Sequence, residues 1–347
     1  MPRKGQRTAP TPIGDPSDPQ SLYAWMLRFL EWLRVHHYSE RTTELRELYL
    51  RYFLIWCDER GLSRPNEITK PILERYQRHL FHHRKTNGEP LSVGSQYARL
   101  TPIRGFFKWL ARENHILYNP ASELELPRQE KRLPKHVLNE SEAERILAVP
   151  DAGTAYGLRD RAILETLYST GIRRMEVINL KLADVDGERG TLMVRQGKGR
   201  QDRVVPIGER AIRWIVRYRD EVRPGLAMPR DDGTLFLTHL GEAFTRSRMT
   251  QMVRVYVNRA DIGKSGSCHL FRHTMATLML ENGADIRFIQ AMLGHAKVST
   301  TQVYTQVSIR KLKEIHSATH PAKLERAARD DDDADTNDGK IVDGGER

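Results

Sequence analysis

Cysteine is nearly absent: Cys57 and Cys268 are the only two in 347 residues, too few for a disulfide framework and without zinc-type spacing. Both read as packing residues. Long apolar runs are missing too. Nothing approaches the roughly 18 to 20 residues that span a bilayer, so no membrane anchor is expected. Residues 1–20 are polar and proline-rich, which reads as a disordered leader and not a signal peptide, and a cytoplasmic location follows as the default. No His-Glu-x-x-His pair, paired cysteine set or aspartate-rich loop is present, so neither a zinc nor a two-metal nuclease is favoured and no cofactor is expected. Gly263-Lys264-Ser265 has the ending of a phosphate loop, but position 258 is Asn where the first glycine belongs, and the segment reads as an ordinary loop.

What the chain has in excess is positive charge. The net charge is +11, yet residues 330–347 hold eight acids and two bases, a local −6, so residues 1–329 carry +11 − (−6) = +17. That surplus suits a polyanionic partner, because each phosphate neutralised by Lys or Arg releases condensed counterions. A merely solubilising basic surface gives the same number. The acidic run from Asp330 to Asp335 reads as a disordered, solvated tail.

Length favours two domains, and the first reads as wholly helical. Leu22, Trp25, Met26, Phe29, Leu30 and Leu33 recur at helical spacing. Ser39 offers an N-cap to a second helix, ended by Gly61, whose Leu45, Leu48, Tyr49, Tyr52, Ile55 and Trp56 share a face. The aromatic run Tyr49, Tyr52, Phe53, Trp56 reads as core in preference to a base-stacking platform. A shorter helix is expected around Ile72 to Leu80 and a longer one from about Ser92 to Glu113, kinked or split at Pro102. Residues 119–135, with Pro120, Pro127 and Pro134 among charged residues, read as a linker. The domains are therefore drawn as 21–118 and 136–320, with 321–347 as the acidic tail.

In the second domain Ser141-Glu-Ala-Glu144 has capping-box spacing. Helices are expected at 158–170, 174–180, 209–221, 246–259, 270–281 and 286–293. Residues 191–195 and 203–207 read as strands of a hairpin turning through Gln196-Gly-Lys-Gly-Arg200. The fold class is mainly α with a small antiparallel β-sheet.

Four short segments carry chemistry-bearing side chains: Thr170-Gly-Ile-Arg-Arg-Met-Glu176, Gly197-Lys-Gly199, His269-Leu-Phe-Arg-His273, and Leu293-Gly-His295 followed nine residues later by Tyr304. Singly each is weak. In this order and spacing, with Leu-Gly-His-Ala-Lys-Val-Ser-Thr-Thr-Gln-Val-Tyr-Thr at 293–305, the chain resembles the tyrosine recombinase and phage integrase family, most of all its Xer-type members. The resemblance implies a helical core-binding domain followed by a catalytic domain. It places the family's arginines on Arg173 and Arg272, its hairpin lysine on Lys198, its histidines on His269 and His295, its nucleophile on Tyr304 and a supporting acid on Glu176. Arg174 adjoins Arg173, and the spacing to Glu176 selects Arg173. His273 reads as a packing or helix-surface residue.

The chemistry asks for the same residue types. Attack on a phosphodiester builds negative charge on equatorial oxygens, which always-charged guanidinium groups can meet with paired hydrogen bonds. His269 and Arg272, three apart, share one helix face. A phenol of pKa near 10 needs a base and a cationic field, and the leaving 5′-oxygen needs a proton, for which Lys198 suits. By resemblance His269 is the base and His295 a phosphate donor. The resemblance further implies a site-specific recombinase that cleaves and rejoins double-stranded DNA through a 3′-phosphotyrosine, without ATP or metal. It implies a nucleoid-associated homo-tetramer on DNA, possible pairing with a related recombinase, and a helix-spaced set, Ile309, Leu312 and Ile315, that packs on a neighbour or on its own domain. A catalytically silent DNA-binding accessory protein and a type IB-like topoisomerase are the alternative readings.

Overall fold

In the computed structural model of the chain, residues 11–15, 17–129, 136–195 and 202–294 are described. They fall into two units, Met1–Lys131 and Arg132–Arg347. Each has its own apolar core. No helix among the described residues is long and apolar enough to cross a membrane.

The first unit is built from α1 (Leu22–Val35), α2 (Glu40–Asp58), α3 (Lys70–His82) and α4 (Val93–Arg112). Ser21, Ser39 and Ser92 start α1, α2 and α4 by accepting a hydrogen bond from the backbone N–H three residues on, which satisfies a donor the helix itself cannot. The six α1 residues picked out by spacing are the six it buries. On α2 the expected face is right only at Trp56. The core takes Leu50, Phe53, Leu54, Trp56 and Cys57, whereas Leu48, Tyr52 and Ile55 are exposed. Two overlapping apolar stripes run along this helix, and period alone cannot say which meets α1 and α4. The exposed stripe is partly covered from above, with the Arg99 guanidinium 4.8 Å from the Tyr52 ring centre. Pro102 does not split α4, which runs unbroken from 93 to 112. Pro102 is itself buried between Leu100 and Ile103, so packing holds the helix together despite the lost backbone donor.

The second unit contains α5 (Glu140–Ala148), α6 (Ala155–Thr170), α7 (Arg174–Ile178), β1 (Val185–Asp186), β2 (Thr191–Val194), β3 (Arg203–Pro206), α8 (Glu209–Glu221), α9 (Arg223–Leu226), α10 (Arg246–Arg259), α11 (Cys268–Glu281) and α12 (Ile286–Leu293). The three strands form one antiparallel sheet in the order β1-β2-β3, with Val194 opposite Arg203 as the last pair before the β2–β3 connection. The sheet turns Leu192, Val194 and Val205 into the core. α6 is buried on nearly every side through Leu158, Ala162, Ile163, Leu164 and Leu167, which makes it the central helix of the unit. The capping box of α5 sits two residues earlier than expected. Asn139 caps the helix and Glu142 returns to its N–H, while Ser141 donates to Asn139. Asn caps as well as Ser does and stands at the true boundary. Gly263-Lys264-Ser265 lies in a loop, and Lys264 is engaged structurally, donating to the carbonyl of Val137 and to Glu142.

Gly171 ends α6 in the left-handed region at φ 58°, and a Cβ there would lie 2.1 Å from Cε of Met275 and 3.3 Å from Cδ2 of Leu293. The left-handed turn requires glycine, whereas the Met275 methyl ends a flexible side chain that can move aside. Gly171→Ala should lower unfolding free energy by roughly 1 to 3 kcal/mol, chiefly through left-handed strain. Chemical denaturation would check this, and a loss under 0.5 kcal/mol would contradict the strained turn described.

Candidate active site

The turn at Gly171 delivers Arg173 to the start of α7, where Glu176 folds back on it. The Glu176 carboxylate accepts the Arg173 backbone N–H at 2.8 Å and its Nη1 at 2.9 Å. A third strand of the chain joins here. Arg203, the first residue of β3, donates Nη1 and Nη2 to the two Glu176 oxygens at 3.0 and 2.8 Å, the parallel fork that guanidinium and carboxylate form best. Burial raises the Glu176 pKa, but the bonds and charges of Arg203 and Arg173 outweigh it and hold the carboxyl below its ordinary range.

The three arginines of the site meet at the end of α12. The last carbonyls of a helix have no partner within it and carry its partial negative charge. Here three consecutive ones are taken by three different guanidinium groups. Met292 O accepts from Arg203 Nε at 3.0 Å, Leu293 O from Arg272 Nη2 at 2.7 Å, and Gly294 O from Arg173 Nη2 at 3.0 Å. Arg272 also donates Nη1 to the carbonyl of Gly171 at 2.7 Å, so it ties the ends of α6 and α12 to its own helix α11. Gly294 closes α12 at φ 61°, and a Cβ there would lie 3.0 to 3.1 Å from the Arg203 side chain.

His269 stands one turn before Arg272 on α11, at the exposed surface of the helix. Desolvation lowers its pKa, and the positive charges of Arg272, Arg174 and Arg173 lower it further, which leaves the ring neutral at pH 7 and able to take a proton. His273, four residues on, is pushed down to about 4 by burial and by His269 and Arg272. Arg173 remains about one-fifth exposed. Of five guanidinium donors it commits two to Glu176 and Gly294.

The structure therefore brings together Arg173, Glu176, His269 and Arg272. Lys198, His295 and Tyr304 lie outside the described residues. Of the adjacent arginines, Arg173 pairs with Glu176, whereas Arg174 donates to the Thr250 hydroxyl on α10, and the charges of both act on His269. Beside it, Arg246, Ser247, Gln251, Arg254 and Arg174 line an open groove of about 700 Å³. Sequence reasoning missed Arg203. It reads as an ordinary strand-end residue, and only its place five residues after Lys198 hinted at a connection.

Comparison with known proteins shows the family. The model of the phage integrase family matches residues 136–310, and that of the phage integrase N-terminal SAM-like domain matches residues 25–116. The chain is 53% identical over 312 residues to tyrosine recombinase XerC 2 of Ralstonia nicotianae, covering 90% of each chain. It is 38% identical over 272 residues to tyrosine recombinase XerD of Pseudomonas putida, covering 78% of this chain and 88% of that one. Among solved structures, the XerH site-specific recombinase bound to difH substrate in a pre-cleavage complex shares the fold with a TM-score of 0.70 at 21% identity, over 88% of this chain and 98% of that one. The chain belongs to the phage integrase family, the tyrosine recombinases. It is a Xer-like site-specific DNA recombinase, an enzyme of DNA strand breakage and rejoining.

Glu176→Gln removes the one anion between two partly buried guanidinium groups and should cost roughly 3 kcal/mol at pH 7. The sign follows from the lowered carboxyl pKa: the stabilisation is complete above the unfolded value of about 4.3 and fades as pH falls through the lower folded value. The difference between wild type and Glu176→Gln in denaturant titrations should thus be constant from pH 7 to 5 and shrink below it. A difference that grew on acidification would contradict the ion-pair account.

Proposed function

We propose that the protein cleaves one DNA strand at a time with Tyr304 as nucleophile, holds the 3′-phosphate as a tyrosine ester, and passes it to the 5′-hydroxyl of a partner duplex. The observation that carries this reading is the pair of neighbouring carbonyls, Leu293 O and Gly294 O, that accept from Arg272 and Arg173. Two permanent positive charges are thereby fixed side by side, one residue before His295 and ten before Tyr304 in the chain. In this mechanism the phenol proton passes to His269 while the phenol oxygen bonds to phosphorus. The bond from phosphorus to the 5′-oxygen breaks, and that oxygen leaves with a proton from Lys198. Arg173, Arg272 and His295 stabilise the charge that develops on the non-bridging oxygens. Reversal by another strand's 5′-hydroxyl rejoins the backbone with no net loss of ester bonds, so no external energy source is needed.

Duplex DNA as partner is supported by the +17 surplus on residues 1–329 and by the polar and basic face of α10, where Arg246, Ser247, Gln251 and Arg254 offer both phosphate and base-edge hydrogen bonds. The XerH structure of the same fold is a complex with its DNA substrate. Exchange between two duplexes needs four cleavages, which fits a homo-tetramer working at the nucleoid, alone or with a related recombinase. An open groove of about 540 Å³ lined by Tyr168, Met275, Leu278, Met279 and Ala284 offers an apolar seat for the Ile309, Leu312, Ile315 segment of a neighbouring copy. The domain division at 21–118, 119–135 and 136–320 and the acidic tail from 321 are part of the same reading.

Wild-type protein incubated with nicked duplexes made from fragmented host genomic DNA should give a covalent adduct, and Tyr304→Phe should give none. Sequencing the captured DNA would identify the site, and an adduct that persists in Tyr304→Phe would end the assignment. Removing residues 309–347 should impair pairing of two captured sites at least 10-fold while changing affinity for one site less than 3-fold, as read by gel mobility. Equal loss of both would count against packing between copies.

A further inference from the structure

We infer that Arg203 is a positioning residue for strand cleavage, holding Arg173 and the carboxyl end of α12 in one fixed relation through Glu176 and Met292. This deepens the catalytic reading above and rests on it.

The inference starts from what Arg203 touches. Its fork grips both oxygens of Glu176 at 3.0 and 2.8 Å, and its Nε reaches Met292 O at 3.0 Å. Glu176 holds Arg173 by backbone and side chain, and Arg173 holds Gly294 O. Arg203, Glu176, Arg173 and the last residues of α12 therefore form a closed ring of hydrogen bonds. Three of its corners come from segments far apart in sequence. The Arg203 side chain is only 14% exposed, so it is an inner brace and not a surface charge waiting for a phosphate.

Position adds a second element. Arg203 pairs with Val194 where β2 and β3 meet their connecting segment, and that segment includes Lys198. On the other leg of the same hairpin Arg195 Nε meets Asp184 at 2.5 Å. Both legs are thus pinned by ion pairs to the body of the unit, and only the Arg203 pin leads to the arginine cluster. Lysine cannot replace it. An ammonium can satisfy one carboxylate oxygen or the carbonyl, but it lacks the planar fork that meets Glu176 twice while Nε reaches Met292. A shift of about 1 Å in a group that must face a transition state costs on the order of 100-fold in rate.

The test uses full-length protein and a nicked duplex of the sequence that wild type captures from fragmented host DNA, at saturating protein. Arg203→Ala and Arg203→Lys should each slow adduct formation by about 100-fold and at least 10-fold respectively, with affinity for the uncleaved duplex changed less than 3-fold. A second substrate carries a methylphosphonate at the cleaved position, which removes the negative charge that Arg173 and Arg272 must face. On it the Arg203→Ala defect should shrink below 10-fold, because misplaced cations matter less for a neutral group. Arg203→Ala combined with Glu176→Gln should be no slower than the slower single variant, since both break the same ring. A defect of equal size on both substrates, or losses that multiply in the double variant, would show a general folding effect and overturn the inference. Normal cleavage by Arg203→Ala would do the same while leaving the catalytic reading intact. If wild type itself forms no adduct on either substrate, the catalytic reading falls and this inference with it.

Discussion

One carboxylate decides the geometry of this site. Three guanidinium groups, those of Arg173, Arg203 and Arg272, are drawn to the end of a single short helix, and among the described residues that bond them there stands one anion, Glu176. The sum of three positive charges and one negative leaves +2, reduced but not cancelled by the partial charge of about −0.5 at a helix carboxyl end. That balance is what phosphate binding needs. Full neutralisation would remove the attraction for DNA, and no neutralisation would drive the arginines apart. The carbonyls of Gly171, Met292, Leu293 and Gly294 do the rest as dipoles, satisfying donors without adding a formal negative charge that would repel the substrate.

Such an arrangement is stiff because its members belong to different elements. Arg173 comes from the turn after α6, Arg203 from β3, Arg272 from α11, and all end on α12. Moving any one of them strains bonds made by the other two. Preorganised donors of this kind need little rearrangement when charge develops on the phosphate, which is where electrostatic catalysis gains most of its effect.

How much of this was legible in the sequence depends on what each feature rests on. Helices such as α8, α10 and α12 fall where period and stop signals put them, because amphipathic spacing and glycine or capping residues act locally. The buried face of α2 was misread because two apolar stripes compete and only tertiary packing chooses between them. Of the kink or split expected at Pro102, the split does not occur: burial of the proline itself outweighed its local preference to break the helix. At the site, the His269 and Arg272 pair follows from spacing of three on α11, and the Arg173 and Glu176 pair from the same spacing at α7. Arg203 could not be found that way, since its partners lie 27 and 89 residues distant and no local pattern encodes a meeting of that range.

The same charges also set the protonation of His269. In the free protein, desolvation and the field of Arg272, Arg174 and Arg173 keep the imidazole neutral, so a proton acceptor is ready at physiological pH. Arrival of a phosphate places a negative charge in the middle of that field and offsets part of it. The imidazolium form then becomes less costly, and the ring becomes a stronger base when a phenol must be deprotonated. A single arginine cluster can therefore serve two steps in the proposed cleavage, holding the base unprotonated before the substrate arrives and stabilising the phosphorane charge afterwards. The two roles do not conflict, because the phosphate that calls for the second is also what relaxes the first.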